Sequence, residues 1–478
     1  MRVNYTWYTR HKKEVLLFAV AFALRVAMFL VLWQWFIVLG NLPQSASHYP
    51  IVEGDSSSYF ILSQNLLQHH EYSLSASPPF VPESFRLPGY PFFLYFFQLL
   101  GFPLVLIILI QMMLGSGSVV LTYLIGKKFL SEKTALIAAL LLSIEPTTLF
   151  FSTFVGSETI FVFALLLGIY LFLQKEGAVV RRLLLAFAGG LLFGFAILTR
   201  VIAQFLPPLM LVAYIAFYRK ELRPYARSIA HLAAFSIGII LVIAPWSLRN
   251  HALYDVFDIS ATPYVNFAQY NLPLFYSYSH RVPLGETFAM YQAPLRSSTT
   301  PAASLTNKPI FQKQIRDTLE GNFFSYLYFH AVKTVPFFVT DGVRDMNRYV
   351  GLVPIPPDQT NFSDMLIRGD IAGIAKYFIS PSPNLWMLLV GSVPWILITA
   401  LWLFELAYVL IKRPDTFWFV CIASGIILYF AFLTGPVTEH RYRMPAAPFM
   451  LLLAVEGART LWRVLRIRDA AASRALLP

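Results

Sequence analysis

The sequence predicts an all-α polytopic membrane protein with about ten transmembrane helices, interfacial helices and one large outer loop. Three observations predict it. The 478 residues are 57% hydrophobic and only 13% charged, whereas soluble domains carry about 25% charged residues. A soluble chain of this length would lack the polar residues to cover its surface. Apolar runs long enough to cross a bilayer core of about 30 Å recur along the chain. Lysine and arginine gather in alternate connections between those runs, as the positive-inside tendency requires. The net charge of +12 is therefore largely a topology signal, and a nucleic-acid partner is not implied.

The candidate spans, in order, are 15–39, 103–125, 135–151, 159–174, 183–198, 201–217, 229–246, 385–411, 417–433 and 446–464. The first is read as a retained span, because no small-residue cleavage site follows a short apolar core. One set of connections holds Arg10, Lys12 and Lys13; Lys127, Lys128 and Lys133; Lys175, Arg181 and Arg182; and Arg219, Lys220, Arg223 and Arg227. It continues with Lys412 and Arg413, and ends with Arg459, Arg463, Arg466 and Arg468. The alternation places these in the cytoplasm, with both termini inside a cell membrane crossed many times.

The expected organisation is an N-terminal bundle over 1–246, a large extracytoplasmic loop over 247–384, and C-terminal helices with a basic tail over 385–478. A first outer loop spans 40–101. Within the large loop, 322–339 (NFFSYLYFHAVKTVPFFV) is apolar but carries His330 and Lys333. The segment reads as a helix lying in the membrane interface; a re-entrant or spanning hairpin is the alternative. Cys421 is the one cysteine, so no intramolecular disulfide forms, and no His/Cys cluster offers a zinc site.

The outer face raises the chemical question. VEGDSSSYF, just beyond the first span, places Glu53 and Asp55 at the edge of the apolar phase. Asp55 and Tyr59 are four residues apart and share a helix face. The plain reading of Asp55 is a helix cap. In FRLPGYPFF, Arg86 is the sole Lys or Arg of the first outer loop. It is either an interfacial anchor that snorkels to lipid or a ligand for a specific lipid phosphate. Glu158, in GSETIF, has no basic neighbour in its own loop. It is either a functional acid or an N-terminal helix acid favoured by the helix dipole, with Ser157 as cap. Arg200 (LTR), Arg249 (PWSLRN), and Arg441 and Arg443 (HRYRMP) stand at outer span ends, against the positive-inside tendency. Each is a candidate for holding something negative.

The ordered set GDSSSY, FRLPGYPFF, SETIF, ILTR, APWSLRN and HRYRMPAAP resembles the bacterial polytopic glycosyltransferases of the GT-C superfamily. These are relatives of protein O-mannosyltransferases and of the aminoarabinose transferases that modify lipid A. The resemblance covers roughly residues 10–465. It implies transfer of a sugar from a polyprenyl-phosphate donor to an envelope acceptor on the extracytoplasmic face, with inversion in the family's usual manner. The acceptor is a protein, a lipid or a glycan. Asp55 matches the family's essential acid and Glu158 its second acid. Arg86 matches the donor-phosphate contact, and Tyr59 a recurrent aromatic. Arg249, Arg441 and Arg443 join the expected phosphate-binding set, with Arg200 auxiliary. Many relatives have two adjacent acids where this chain has Glu53 and Asp55 split by Gly54, which leaves the role of Glu53 open. The lipid-linked sugar is a substrate, so no cofactor is expected, and the chemistry does not require a metal. Partners are then membrane lipids, the polyprenyl-phosphate sugar and its acceptor.

The resemblance also explains the position of the acids. The donor phosphate lies at headgroup level, so the base must stand at the membrane rim, where partial desolvation is expected to raise its pKa. A transporter or lipid flippase is the alternative function. Sparse mid-span polar residues (Arg25, Gln111, Glu145, Glu405) and a single large outer loop favour the enzyme. A catalytically inactive scaffold of the cell envelope is the third reading.

Overall fold

The computed structural model describes residues 11–41, 49–51, 54–219, 222, 225–296, 301–339, 342–350, 370–373, 391–437 and 439–475. The described residues are helical, with no named strand and one isolated β-bridge between Ser73 and Pro82. The protein is an all-α polytopic membrane protein. Six described helices are long and apolar enough to cross a membrane, and two shorter apolar helices accompany them.

Helix α1 (Lys12–Trp33) continues into a π-helical turn at Gln34–Val38. Two helices of the first outer loop follow, α2 (Asp55–His69) and α3 (Gly89–Leu99). Helix α4 (Leu104–Phe129) is long and apolar enough to span. The next expected span, 135–151, is two helices, α5 (Glu132–Ser143) and α6 (Pro146–Phe151). Local chemistry explains the break. Glu145 caps α6 by accepting from the backbone N–H groups of Thr147 and Thr148, and Pro146 occupies the first helical position.

Helices α7 (Glu158–Phe172) and α8 (Val179–Thr199) form a tight pair. A 3₁₀ turn at Val201–Phe205 separates α8 from α9 (Pro207–Tyr218), which again starts on proline. Helix α10 (Tyr225–Tyr254) runs eight residues past its expected end at Trp246 despite the internal Pro245. Its 30 residues rise about 45 Å, more than a bilayer core. The excess carries Trp246, Arg249 and Asn250 beyond the bundle.

The large loop contributes α11 (Thr262–Asn266), α12 (Leu272–His280), α13 (Leu284–Arg296), α14 (Lys308–Leu319), α15 (Phe323–Thr334), α16 (Pro336–Val339) and α17 (Val343–Val350). They have small cores of their own: Ala261, Val265, Leu305 and Phe311 in one, and Leu272, Phe275, Tyr326 and Phe329 in the other. Three more helices complete the described chain, α18 (Val393–Lys412), α19 (Phe417–Thr434) and α20 (Ala447–Ala475). The first residues of the expected span 385–411 lie outside the described residues.

The segment 322–339 breaks at Val335, ahead of Pro336. His330 and Lys333 were expected to keep it at the membrane surface by their polarity, but both are buried against protein. His330 Nε2 donates to the carbonyl of Phe432, at the end of α19, while its Nδ1 accepts from the Tyr326 hydroxyl. The aromatic face of α15, with Phe324 81% exposed, points the other way.

The closest helix packing is made by glycine. Gly190 of α8 meets the backbone of Phe235 on α10, and Gly238 of α10 meets the backbone of Phe187 and Leu191 on α8. Small residues let membrane helices approach closely enough for backbone van der Waals contact. A Cβ at Gly190 would overlap the Phe235 carbonyl. Gly190→Val is therefore expected to force α8 and α10 apart at a cost of about 1–3 kcal/mol. Its melting temperature in detergent should fall, whereas Ala188→Val on the same helix should shift it less.

Candidate active site

The site is built where the ends of α2, α7 and α8 meet the turn before α20. Asp55 is the first residue of α2, and it does not cap that helix. The N-cap is Gly54, in a positive-φ conformation (φ 74°) with no side-chain cap bond. The Asp55 carboxylate instead bridges two arginines. Arg86 Nη2 lies 2.7 Å from Oδ1, and Arg441 Nη1 lies 2.9 Å from Oδ2. Arg441 Nη1 is also 3.3 Å from Glu158 Oε1, to which Arg200 Nη1 donates at 2.6 Å. Arg441 Nε donates to Glu439 Oε2 at 2.5 Å. Three carboxylates and three guanidinium groups thus form one connected network among the described residues.

Neighbouring aromatic groups fix its shape. Arg86 lies over the Tyr59 and Phe85 rings, and Tyr442 sits between Arg200 and Arg441. The Tyr59 hydroxyl is 3.3 Å from Ser157 Oγ. Ser157 makes no cap bond to α7; Arg200 Nη1 reaches its hydroxyl at 3.5 Å.

Each element is held by bonds that the sequence places far apart. Ser56 Oγ donates to the Val155 carbonyl, and the Val155 N–H donates to the Pro50 carbonyl, tying the start of α2 to the segment before Glu158. Gln111 Nε2 donates to the carbonyls of Ser152 and Phe154, and Tyr90 OH accepts from Gly156 N–H while donating to Gln111 Oε1. These bonds convert irregular backbone at 152–156 into a fixed platform, as buried backbone groups require.

The Arg86 segment is clamped from the other side. Glu83 Oε1 accepts from the N–H groups of Phe85 and Arg86. Arg249 donates to the Glu83 carbonyl, Tyr254 OH to the Pro82 carbonyl, and the Ser260 and Thr262 hydroxyls to the Phe85 carbonyl.

The expected residues therefore fall into groups. Asp55, Glu158, Arg86, Arg200 and Arg441 come together, with Tyr59 beside them. Arg249 is not in the network; it stacks on Trp246 and braces the backbone behind Arg86. Arg443 is buried, donates to the Phe337 carbonyl and lies over the Trp395 ring. Glu53 lies outside the described residues. Sequence reading passed over Glu439 and Tyr442, and took Ser157 for a helix cap, which it is not. Glu439 had a signal, since it is an acid two residues before Arg441, beside the end of an apolar run.

The electrostatics differ from the sequence expectation in one respect. Burial pushes the Asp55 carboxyl upward, as anticipated, but Arg441, Arg86 and Arg200 outweigh it and hold the group below the usual carboxylate range. In this arrangement Asp55 is ionised and a weak base. No group of three or more His, Cys, Asp or Glu side chains among the described residues is arranged to hold a metal ion.

Residues 84–248 match the model of a family described as dolichyl-phosphate-mannose-protein mannosyltransferase. The matched stretch contains Arg86, Glu158 and Arg200, while Asp55, Glu439 and Arg441 lie outside it. A search of curated proteins returns no match.

Among solved structures, the apo oligosaccharyltransferase of Archaeoglobus fulgidus is 13% identical over 95% of this chain and 52% of its own, with a TM-score of 0.48. The same organism's enzyme AglB, in complex with an inhibitory peptide and a dolichol-phosphate, gives 14% identity over 99% and 53%, with a TM-score of 0.47. ArnT from Cupriavidus metallidurans, bound to undecaprenyl phosphate, gives 16% identity over 95% and 81%, with a TM-score of 0.37. The chain spans about half the length of the archaeal chains.

Two outcomes follow from the network. Arg441→Ala leaves Asp55 and Glu158 without their shared partner, which costs on the order of 3 kcal/mol. Adding Asp55→Asn removes the excess negative charge while keeping an oxygen for Arg86, so the double variant should melt higher than Arg441→Ala alone. The second outcome concerns pH. The folded-state pKa of Asp55 is depressed, so its ion pairs add stability that is full at neutral pH. That stability is lost as pH falls below about 4 towards the folded value. Melting temperatures between pH 6 and pH 3 should therefore fall more steeply for the wild type than for Asp55→Asn.

Proposed function

We propose that the protein transfers a sugar from a polyprenyl-phosphate donor to an acceptor of the cell envelope, on the extracytoplasmic side. The observation that carries this reading is the network itself: a carboxylate clamped between two arginines at the helix ends, inside a chain matching the dolichyl-phosphate-mannose family. Positively charged groups at that level suit a lipid phosphate whose tail stays in the bilayer. A carboxylate beside them suits the removal of a proton from the acceptor.

The step is a single displacement. An acceptor hydroxyl or amine attacks the anomeric carbon while the bond from that carbon to the phosphate oxygen breaks. The electron pair leaves with the polyprenyl phosphate, and the acceptor proton passes to Asp55. Arg86 and Arg441 stabilise the charge that grows on the leaving phosphate; preorganised donors of this kind are typically the largest catalytic contribution. Glu158 holds Arg200 and Arg441 in register. Attack from one face with a carboxylate acting as base inverts the anomeric configuration. A sidedness with both termini cytoplasmic follows from the basic connections.

Transfer from a radiolabelled polyprenyl-phosphate sugar by purified protein tests the reading. Asp55→Asn keeps the shape and should fold, yet lose about 10²–10⁴-fold in turnover. Turnover within a few-fold of wild type would remove Asp55 from the role. Arg86→Ala should weaken donor binding by about 10- to 150-fold, the range for a lost hydrogen bond to a charged group. Unchanged donor affinity would return Arg86 to the role of an interfacial anchor.

A further inference from the structure

The network is complete without a phosphate. Asp55, Glu158 and Glu439 neutralise Arg86, Arg200 and Arg441, and each arginine has a carboxylate within 3 Å. An incoming phosphate therefore meets no idle guanidinium among these three. It has to displace something.

The geometry points to which pair yields. Asp55 offers its two oxygens to two different arginines, Oδ1 to Arg86 and Oδ2 to Arg441. That two-armed arrangement is equally suited to two oxygens of a phosphate, because guanidinium groups recognise carboxylate and phosphate by the same geometry. The Asp55 side chain is 28% exposed, whereas that of Glu158 is 5% exposed and has Arg200 at 2.6 Å. Asp55 also stands at a helix start, directly after the positive-φ Gly54. Glu439 grips Arg441 by Nε and leaves the Nη groups free to change partners.

We propose that the donor phosphate loads by ion-pair exchange, taking Arg86 and Arg441 from Asp55, while Glu439 keeps hold of Arg441 throughout as a positioning residue. This rests on the polyprenyl-phosphate reading above and adds an order of events to it. Before loading, the six groups sum to zero. Afterwards a phosphate anion has joined them and Asp55 has lost its two direct partners. The titratable and charged groups that interact with Asp55 in the resting site are Arg86, Arg200, Arg441, Tyr59, Tyr442 and Glu158. With two of those arginines turned to phosphate, the carboxylate gains proton affinity. Asp55 thus becomes a stronger base only when a donor is in place, and the acceptor is not deprotonated at an empty site.

Two variants respond with opposite sign. The measurement is calorimetric binding of undecaprenyl phosphate in detergent micelles, with undecaprenol as the uncharged control and melting temperatures to verify folding. Asp55→Asn removes the competitor and should bind undecaprenyl phosphate about tenfold tighter, the worth of roughly one charge-assisted hydrogen bond. Glu439→Ala frees Arg441 to wander and should bind about tenfold weaker. Glu439→Gln, which still accepts from Nε, should lie near wild type.

Unchanged or weaker binding by Asp55→Asn would overturn the exchange, because Asp55 would then be holding the arginines ready for phosphate. Tighter binding by Glu439→Ala would overturn the role of Glu439. If Glu439→Ala does not fold, the Asp55 arm still decides the exchange. If the wild type does not distinguish undecaprenyl phosphate from undecaprenol, the phosphate reading fails and the exchange fails with it.

Discussion

The guanidinium of Arg441 is the point on which the site depends. Through one nitrogen it touches both Asp55 and Glu158, and through another it touches Glu439. Arg441 and Asp55 are separated by 386 positions in the chain. Without a shared cation, two carboxylates at the edge of an apolar bundle would repel each other and resist desolvation. Burying an ion pair gains little net stability, but removing one partner costs several kcal/mol. The network is thus a weak source of stability and a strong constraint on which segments sit together.

The rest of the fold serves that constraint from three directions. Glycine contacts bring α8 close against α10, and α7 packs on α8, so Arg200 and Glu158 emerge at neighbouring helix ends. The buried Tyr90–Gln111 pair fixes the irregular backbone ahead of Glu158. The overlong α10 and the helices of the large loop clamp the backbone on either side of Arg86. Arg249, expected among the phosphate ligands, takes part from behind by bracing Glu83, whose carboxylate orders the N–H groups of Phe85 and Arg86.

Charge balance links this architecture to chemistry. Three acids against three arginines make a neutral resting site at the ends of α7 and α8. Neutrality lowers the cost of keeping six ionised groups near the bilayer. It also leaves Asp55 ionised and poorly basic until its partners are drawn elsewhere. Desolvation alone, the cause anticipated from the position of the acid at the membrane rim, acts in the expected direction but is outweighed by the arginines.

Much of the fold was legible in the sequence, because hydrophobic length and the placement of Lys and Arg are local properties set by the bilayer as solvent. The long apolar helices could be picked out, and so could the cluster members Asp55, Arg86, Glu158, Arg200 and Arg441, as charges beside the ends of apolar runs in a chain with few of them. Helix breaks with a local cause, such as Glu145 followed by Pro146, were in principle readable, yet a continuous apolar run obscured them. What tertiary structure alone decided was partnership. Arg441 meets Asp55 while Arg443, two residues on, turns away to the Phe337 carbonyl and the Trp395 ring. His330 and Lys333 are buried against protein. Glu439 enters the site only because a 3₁₀ turn presents Arg441 beside it. A sequence fixes which residues are charged and roughly at what depth they lie. Which opposite charge each one meets depends on side-chain direction and helix packing, and both are set by contacts between segments hundreds of residues apart.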